Sequence, residues 1–218
     1  MTTPLIDHSR LSMPLNEAIF TQRAIRRFRP EPISTNDIRL IVEAAVRAPN
    51  GGNRQIGRFL IVTDRESIRR FGALYREAWW AKRKEEKGWT SVADIPAEDR
   101  TYRSASELAE HMRDVPCVVF ALAMPPGHAN SVIPAAQNLM LAARALGIGA
   151  VPTTLHPSVM SRFHEMFGIP ADVTFHFCIP LGYPQGSFGP NVRRPTAETT
   201  YFGHWGGAVP WAPTGGRR

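Results

Sequence analysis

Arginines dominate the residues of this chain that could do chemistry. They cluster in "TQRAIRRFRP", "SIRRF" and "NVRRP", and the planar guanidinium suits phosphate and carboxylate groups that can be gripped at two points. A second candidate is "RAPNGGNRQ", Arg47 to Gln55. Gly51 and Gly52 can take backbone conformations closed to other residues and let a ligand reach the main chain, while Asn53 and Gln55 offer amide donors and acceptors. The same glycines also suit a helix C-terminus with a left-handed cap. A third candidate is the adjacent pair Trp79 and Trp80, which cannot share one helical face, so at least one ring points at a pocket, a partner or solvent.

The formal net charge of +7 favours anionic ligands, and by itself it fits a small phosphorylated molecule or a polynucleotide. No stacking-and-basic motif for RNA or DNA accompanies it, so no nucleic acid is expected. His111, His128, His156, His164, His176 and His204 contain no pair at metal-ligand spacing, and no metal is expected. Neither a nucleophile elbow, a P-loop nor a GxGxxG motif is present, which leaves hydrolase and nucleotidase readings without support. Cys117 and Cys178 lie in apolar runs and read as reduced core residues. The apolar runs are too short to span a bilayer. "MTTPLIDHSRLSMPLNEAIF" has no secretory pattern, so the expectation is a cytoplasmic protein with no membrane partner.

The elements that must position these residues alternate. The pattern predicts a helix over "PLNEAIFTQRAI" and a second over "STNDIRLIVEAAVRA", with Ser34 as N-cap and Ile38, Ile41, Val42 and Ala45 on one face. A buried strand over "GRFLIVTD" follows. A helix begins at "RESIRRF", with Ile68, Phe71, Leu74 and Ala78 in phase, and gives way to a polar excursion carrying short helices. "AKRKEEK" within it reads as a solvated charged stretch. Then come a strand over "VPCVVFALA", a helix over "SVIPAAQNLMLAARALG" that is apolar on nearly every face, and a short strand or loop at "VPTTL". A helix over "HPSVMSRFHEMFG" closed by Gly168 precedes a last strand over "VTFHFCIPLGYP". Strands separated by long helical segments argue for an α/β or α+β layered fold. One domain over 1–218 is expected, with a lid excursion over about 75–114 and a C-terminal arm over 196–218.

Read together, "TQRAIRRFRPEPI", "IVEAAVRAPNGGNRQIGRFLIVTD", "PAAQNLMLAARALGIGAVPTT" and "IPLGYP" followed by "RRP" resemble the FMN-dependent nitroreductase family. Four separated blocks stand in the family's order from about Gln22 to Pro195. The resemblance implies an α+β nitroreductase-like fold, a mixed central sheet flanked by helices, and an intertwined homodimer with FMN at the subunit interface. It implies a ping-pong reaction in which NADH or NADPH gives hydride to FMN and a small acceptor, such as a nitroaromatic or a quinone, takes the electrons. Specialised relatives remain as alternatives: a dehalogenase, a desaturase or a flavin-destroying enzyme, or a non-catalytic FMN-binding or sensing protein.

By the same resemblance, Arg23, Ala24 and Arg26, with Arg193 or Arg194, converge on the FMN phosphate and ribityl chain. Pro49, Asn50, Gly51, Asn53 and Gln55 form a loop that reaches the flavin, often from the other subunit. Pro152, Thr153 and Thr154 lie beside the reactive ring, where the Thr154 backbone N–H donates to flavin N5. Trp79 and Trp80 belong to the lid that meets substrate. The chain departs from the family pattern at Gln22, Arg23 and Ala24, where members commonly read Arg-Arg-Ser or Arg-His-Ser. Asn50 stands for a usual Ser, and Ile56-Gly57 for a usual Pro-Trp. The Glu, Tyr and Lys with which iodotyrosine deiodinases hold their zwitterionic substrate have no convincing equivalent.

Overall fold

The structure is a computed structural model and describes residues 6–212. Positions 1–5 and 213–218, the latter ending the expected arm, lie outside the described residues. After Pro14, helix α1 (Leu15–Thr21) stops where Gln22 turns extended, at φ −65° and ψ 121°. The expected helix is therefore shorter, and Arg23 to Ile25 run as extended chain. Helix α2 (Thr35–Val46) begins as the sequence indicates: Ser34 Oγ accepts from Asp37 N at 3.1 Å. Ile38, Ile41 and Ala45 are buried on its inner face, with Leu40 beside them.

Strand β1 (Gly57–Val62) leads into helix α3 (Arg65–Lys87), whose first turn is capped by Asp64 accepting from Ser67 N at 2.8 Å. This helix runs on to Lys87, past the point where the sequence suggests it gives way, and the short helices of the excursion follow it. Tyr75, Ala78 and Arg83 extend the buried stripe begun by Ile68 and Phe71 until Gly88, at φ +72°, closes it. A left-handed glycine ends the helix without a Cβ clash. Helix α4 (Arg100–His111), strand β2 (Cys117–Ala123) and helix α5 (Ala129–Ala145) follow. Strand β3 (Gly149–Ala150), helix α6 (Met160–Phe167), strand β4 (Thr174–Gly182) and the short α7 (Thr196–Thr199) complete the described chain.

The sheet has the order β1-β2-β4-β3. Its named pairs are all antiparallel, and the parallel component of the expected mixed sheet is reduced to an isolated bridge between Ala24 and Ala150. β1 is an edge, so the strand expected to be fully buried leaves Ile61 exposed. β2 is central and buried throughout. Its alternation divides the core. Val119 and Ala121 face Ile38, Ile41, Leu139 and Ala143 of α2 and α5, whereas Val118 and Phe120 face the layer of α3, α4 and α6. In that second layer Phe120 packs on Phe71 and Phe163 at centroid distances of 4.8 and 4.9 Å.

Cys117 and Cys178 are free and buried, and burial pushes the Cys117 thiol up to about 12. α5 is mostly buried, and Ile133 and Gln137 leave one side open in the single chain. Buried Arg144 ties α5 to α1, with Nε donating to Thr21 Oγ1 at 2.8 Å and a 3.2 Å ion pair to Glu17. The Arg144 guanidinium also lies 4.2 Å from the Phe188 ring centroid. Further along, Asn191 N donates to Phe20 O, and its side-chain amide donates to the Gln22 and Ile19 carbonyls.

α3 meets the turn Met112–Asp114 at Gly72, where an added Cβ would lie 2.5 Å from backbone N and Cα of Arg113. Backbone cannot yield as a flexible side chain can. Gly72→Ala is expected to destabilise the fold by about 1–3 kcal/mol, seen as a fall in thermal midpoint of about 2–4 °C per kcal/mol for a chain of this size.

Candidate functional site

The extended segment after α1 lies against β3. Ile25 N donates to Ala150 O at 3.1 Å. Gly149 permits this approach, since a Cβ there would sit 2.7 Å from Ile25 Cβ. The basic block is thereby fixed beside the chain leaving β3, where Thr153 and Cys178 exchange backbone hydrogen bonds of 2.9 and 2.8 Å. α3 holds the same loop from the other side: the Tyr75 hydroxyl is 2.7 Å from Thr153 Oγ1. Burial pushes the Tyr75 phenol well above its ordinary value, so this group stays neutral.

These elements enclose a cavity of about 400 Å³ that brings Arg26, Pro152, Thr153 and Thr154 together with Trp79. A neighbouring cavity of about 390 Å³ shares Arg26 and adds Arg23, Ala24, Arg100, Arg103 and Ser104. Arg26 is half-buried, and desolvation, reinforced by the like charge of Arg23, pulls its pKa down. Neither Arg23 nor Arg26 has a carboxylate partner among the described residues. By contrast, Arg27 pairs with Glu107, Arg76 with Glu110 and Arg162 with Glu77. A polyanion is the chemical complement of two close cations, one of them partly desolvated. Among the described residues the Thr154 N–H has no protein acceptor, so the loop also presents a main-chain donor.

The remaining expected residues lie elsewhere in the single chain. Pro49 to Gln55 form a turn anchored by Gly51 N donating to Ser131 Oγ at 3.2 Å and Gln55 N donating to Asn50 Oδ1 at 2.9 Å. Gly52, Asn53 and Gln55 all have positive φ, at 58°, 50° and 51°. Two non-glycine residues in that region mark stored backbone strain, which often accompanies ligand loops. Arg193 and Arg194 are exposed, with Arg193 donating to the Val192 carbonyl. Trp80 does not line the cavity with Trp79; its Nε1 donates to Glu110 Oε1 at 2.9 Å and clasps α4. Sequence reasoning missed Tyr75, Lys82, Arg83 and Tyr102, which line the cavity. The available signal was helical phase, because Tyr75, Trp79 and Arg83 recur every fourth residue.

Among the described residues no group of three or more His, Cys, Asp or Glu side chains is arranged to hold a metal ion, and no helix is long and apolar enough to cross a membrane.

Comparison with known proteins gives a consistent result. The model of the nitroreductase family matches residues 19–183. An Archaeoglobus fulgidus protein named NADH dehydrogenase/NAD(P)H nitroreductase is 29% identical over 175 residues, covering 77% of this chain and 83% of the relative. A Thermotoga neapolitana iodotyrosine deiodinase is 27% identical over 179 residues, covering 81% and 90%. Among solved structures, an FMN complex of a nitroreductase from Desulfovibrio desulfuricans superposes with a TM-score of 0.64 at 25% identity, covering 86% of this chain and 95% of that one.

Tyr75→Phe should lower unfolding free energy by about 0.5–1.5 kcal/mol, the usual net value of one such hydrogen bond. In a double-mutant cycle with Thr153→Val the two losses should fail to add, because both remove the same contact.

Proposed function

The chain belongs to the nitroreductase family, and from that premise we propose that it is an FMN-dependent NAD(P)H oxidoreductase that reduces small acceptors such as nitroaromatics or quinones. One observation carries the reading: two guanidiniums without carboxylate partners open onto adjoining cavities, one of them lined by Thr154, whose N–H has no protein acceptor among the described residues. That donor set fits a flavin mononucleotide, which combines a phosphate with a charge near −2 and a flat ring. FMN bound there would supply the two-electron chemistry, taking hydride from NADH or NADPH and giving electrons to the acceptor in a separate step.

The chain's own part is binding and orientation. Arg23 and Arg26 would hold the phosphate and ribityl end, with Ala24 on the same segment. Ala24 replaces a residue that in relatives brings a hydroxyl, so the grip here rests on charge more than on a side-chain hydrogen bond. Pro152 and Thr153 would shape the ring's edge, and Thr154 would present its N–H to the reactive nitrogen, N5. Tyr75 keeps Thr153 in place. Trp79 would cover the acceptor side, and flat substrates suit an aromatic wall.

Pro49, Asn50, Gly51, Asn53 and Gln55, together with Arg193 or Arg194, would complete the site from a second copy in a homodimer. Exposed Leu15, Phe20, Val192, Phe202, Trp205 and Trp211 support that assembly, since so much exposed apolar area usually marks a partner surface. Cytoplasmic placement belongs to the same proposal. A polynucleotide-binding reading is disfavoured, because several of the basic side chains are spent on intramolecular ion pairs rather than forming one free stripe.

Two measurements test this function. Purified protein supplied with FMN and titrated anaerobically with NADPH, then NADH, should lose its flavin absorbance; bound flavin that stays oxidised with both donors would overturn the reductase reading in favour of a sensor or carrier. Arg26→Ala should weaken FMN binding by about 10- to 100-fold, the range for a charged hydrogen-bonding group, with an unchanged far-ultraviolet circular dichroism spectrum.

A further inference from the structure

The lid wall of the 400 Å³ cavity has a feature that binding FMN does not require. Arg83 is only 8% exposed, yet it lies in the stretch that reads as a solvated charge run. Its guanidinium carbon stands 5.4 Å from the Trp79 ring centroid and 5.1 Å from that of Tyr102. Its Nε is buried with no hydrogen-bond partner. Its charge is met by one carboxylate, Glu86 at 3.1 Å, which is itself 42% exposed and is shared with Lys82 at 3.9 Å. Lys82 and Arg83 both line the cavity. Two cations thus share one partly solvated anion beside the rings of Trp79 and Tyr102. A buried cation left short of partners is costly, and an anion entering the cavity would relieve it.

We propose that Arg83 and Lys82, with the Trp79 and Tyr102 rings, form a specificity site for an aromatic acceptor that carries an anionic group such as a carboxylate. The inference rests on the proposed function, because it takes the cavity to be where the acceptor binds. Trp79 and Arg83 are four residues apart on α3, about 6 Å along the helix axis. Because the Arg83 guanidinium reaches back to both rings, an aromatic ligand packed on Trp79 or Tyr102 has its carboxylate within reach of Arg83. The opposite wall, Arg26 with Pro152 to Thr154, is left to the cofactor. Two cations against one carboxylate leave a single surplus positive charge, which matches a monoanion.

The test uses the FMN-loaded protein and two non-reducible ligands of one shape, benzoate and benzamide, followed by isothermal titration calorimetry. Benzoate should bind about tenfold tighter or more, as a charge-assisted contact implies. Arg83→Gln should bring the two ligands to near-equal affinity, Arg83→Lys should keep part of the preference, and Glu86→Gln, at an exposed position, should increase it. Protein reduced with dithionite should show the same order in its oxidation by 4-nitrobenzoate and 4-nitrobenzamide, with no nicotinamide donor present. Equal affinities in the unaltered protein, or an equal loss for both ligands in Arg83→Gln with no response to Glu86→Gln, would leave Arg83 a structural clasp and overturn the proposal. It would also be overturned if Arg83→Gln slowed reduction by NADPH and left the benzoate preference intact, since the anion would then be the donor's diphosphate. If NADH and NADPH both fail to reduce the flavin while benzoate is still preferred, the reductase reading falls and the anion site stands.

Discussion

The structure depends most on one close backbone approach, that of the extended segment Arg23 to Ile25 against β3. The Ile25 to Ala150 hydrogen bond and the bare Cα of Gly149 bring two stretches more than a hundred residues apart into contact. One leads into Arg23 and Arg26, which have no carboxylate partner among the described residues, and the other runs directly into Pro152 to Thr154. Without that contact the basic block would be a surface feature with many arginines and no address. With it, half-buried Arg26 opens onto both cavities, and Thr154, whose N–H has no protein acceptor among the described residues, lines one of them. The tight packing at Gly72 plays the corresponding part for the opposite wall, holding α3 against the turn at Arg113 so that Tyr75 reaches Thr153.

Much of this was legible in the residues. The Ser34 cap, the inner face of α2, the buried strand at Cys117 and the glycine closing α6 followed from periodicity and capping alone. The four ordered blocks carried the family. The course of the chain over about 75–114 was not legible. Its polar outer residues obscure the helical phase of α3, and a sequence window weighs every residue equally, whereas burial selects one stripe. Arg83 shows the difference: in sequence it stands within "AKRKEEK", and in space two rings cover it. The edge position of β1 was equally hidden, because an apolar strand reads the same in the middle of a sheet as at its border.

The single chain also divides the expected site in two. Arg26, Trp79 and Thr154 line one cavity and Arg23 lines the neighbouring one that shares Arg26, whereas the strained turn of Asn50 to Gln55 and the pair Arg193 and Arg194 join neither. The division follows the distribution of exposed apolar side chains, which gather on α1 and along the C-terminal segment rather than around the cavities. The turn holds its unusual backbone through two anchors of its own, Ser131 and Asn50. It is therefore preorganised before it meets anything, and preorganisation reduces the ordering entropy of a later encounter.

Asn191 has a consequence for how the protein is made. Its backbone and side chain donate to the carbonyls of Ile19, Phe20 and Gln22 at the end of α1, immediately before the basic block. Those carbonyls precede their side-chain partner by 172 and 169 residues for Ile19 and Gln22, so every strand of the sheet is synthesised before the clasp can close. A nascent chain stalled anywhere short of residue 191 would present α1 and Arg23 without this clasp. The segment that leads into the basic block therefore takes its final form only once the chain has been made as far as Asn191, after the sheet and helices that surround it.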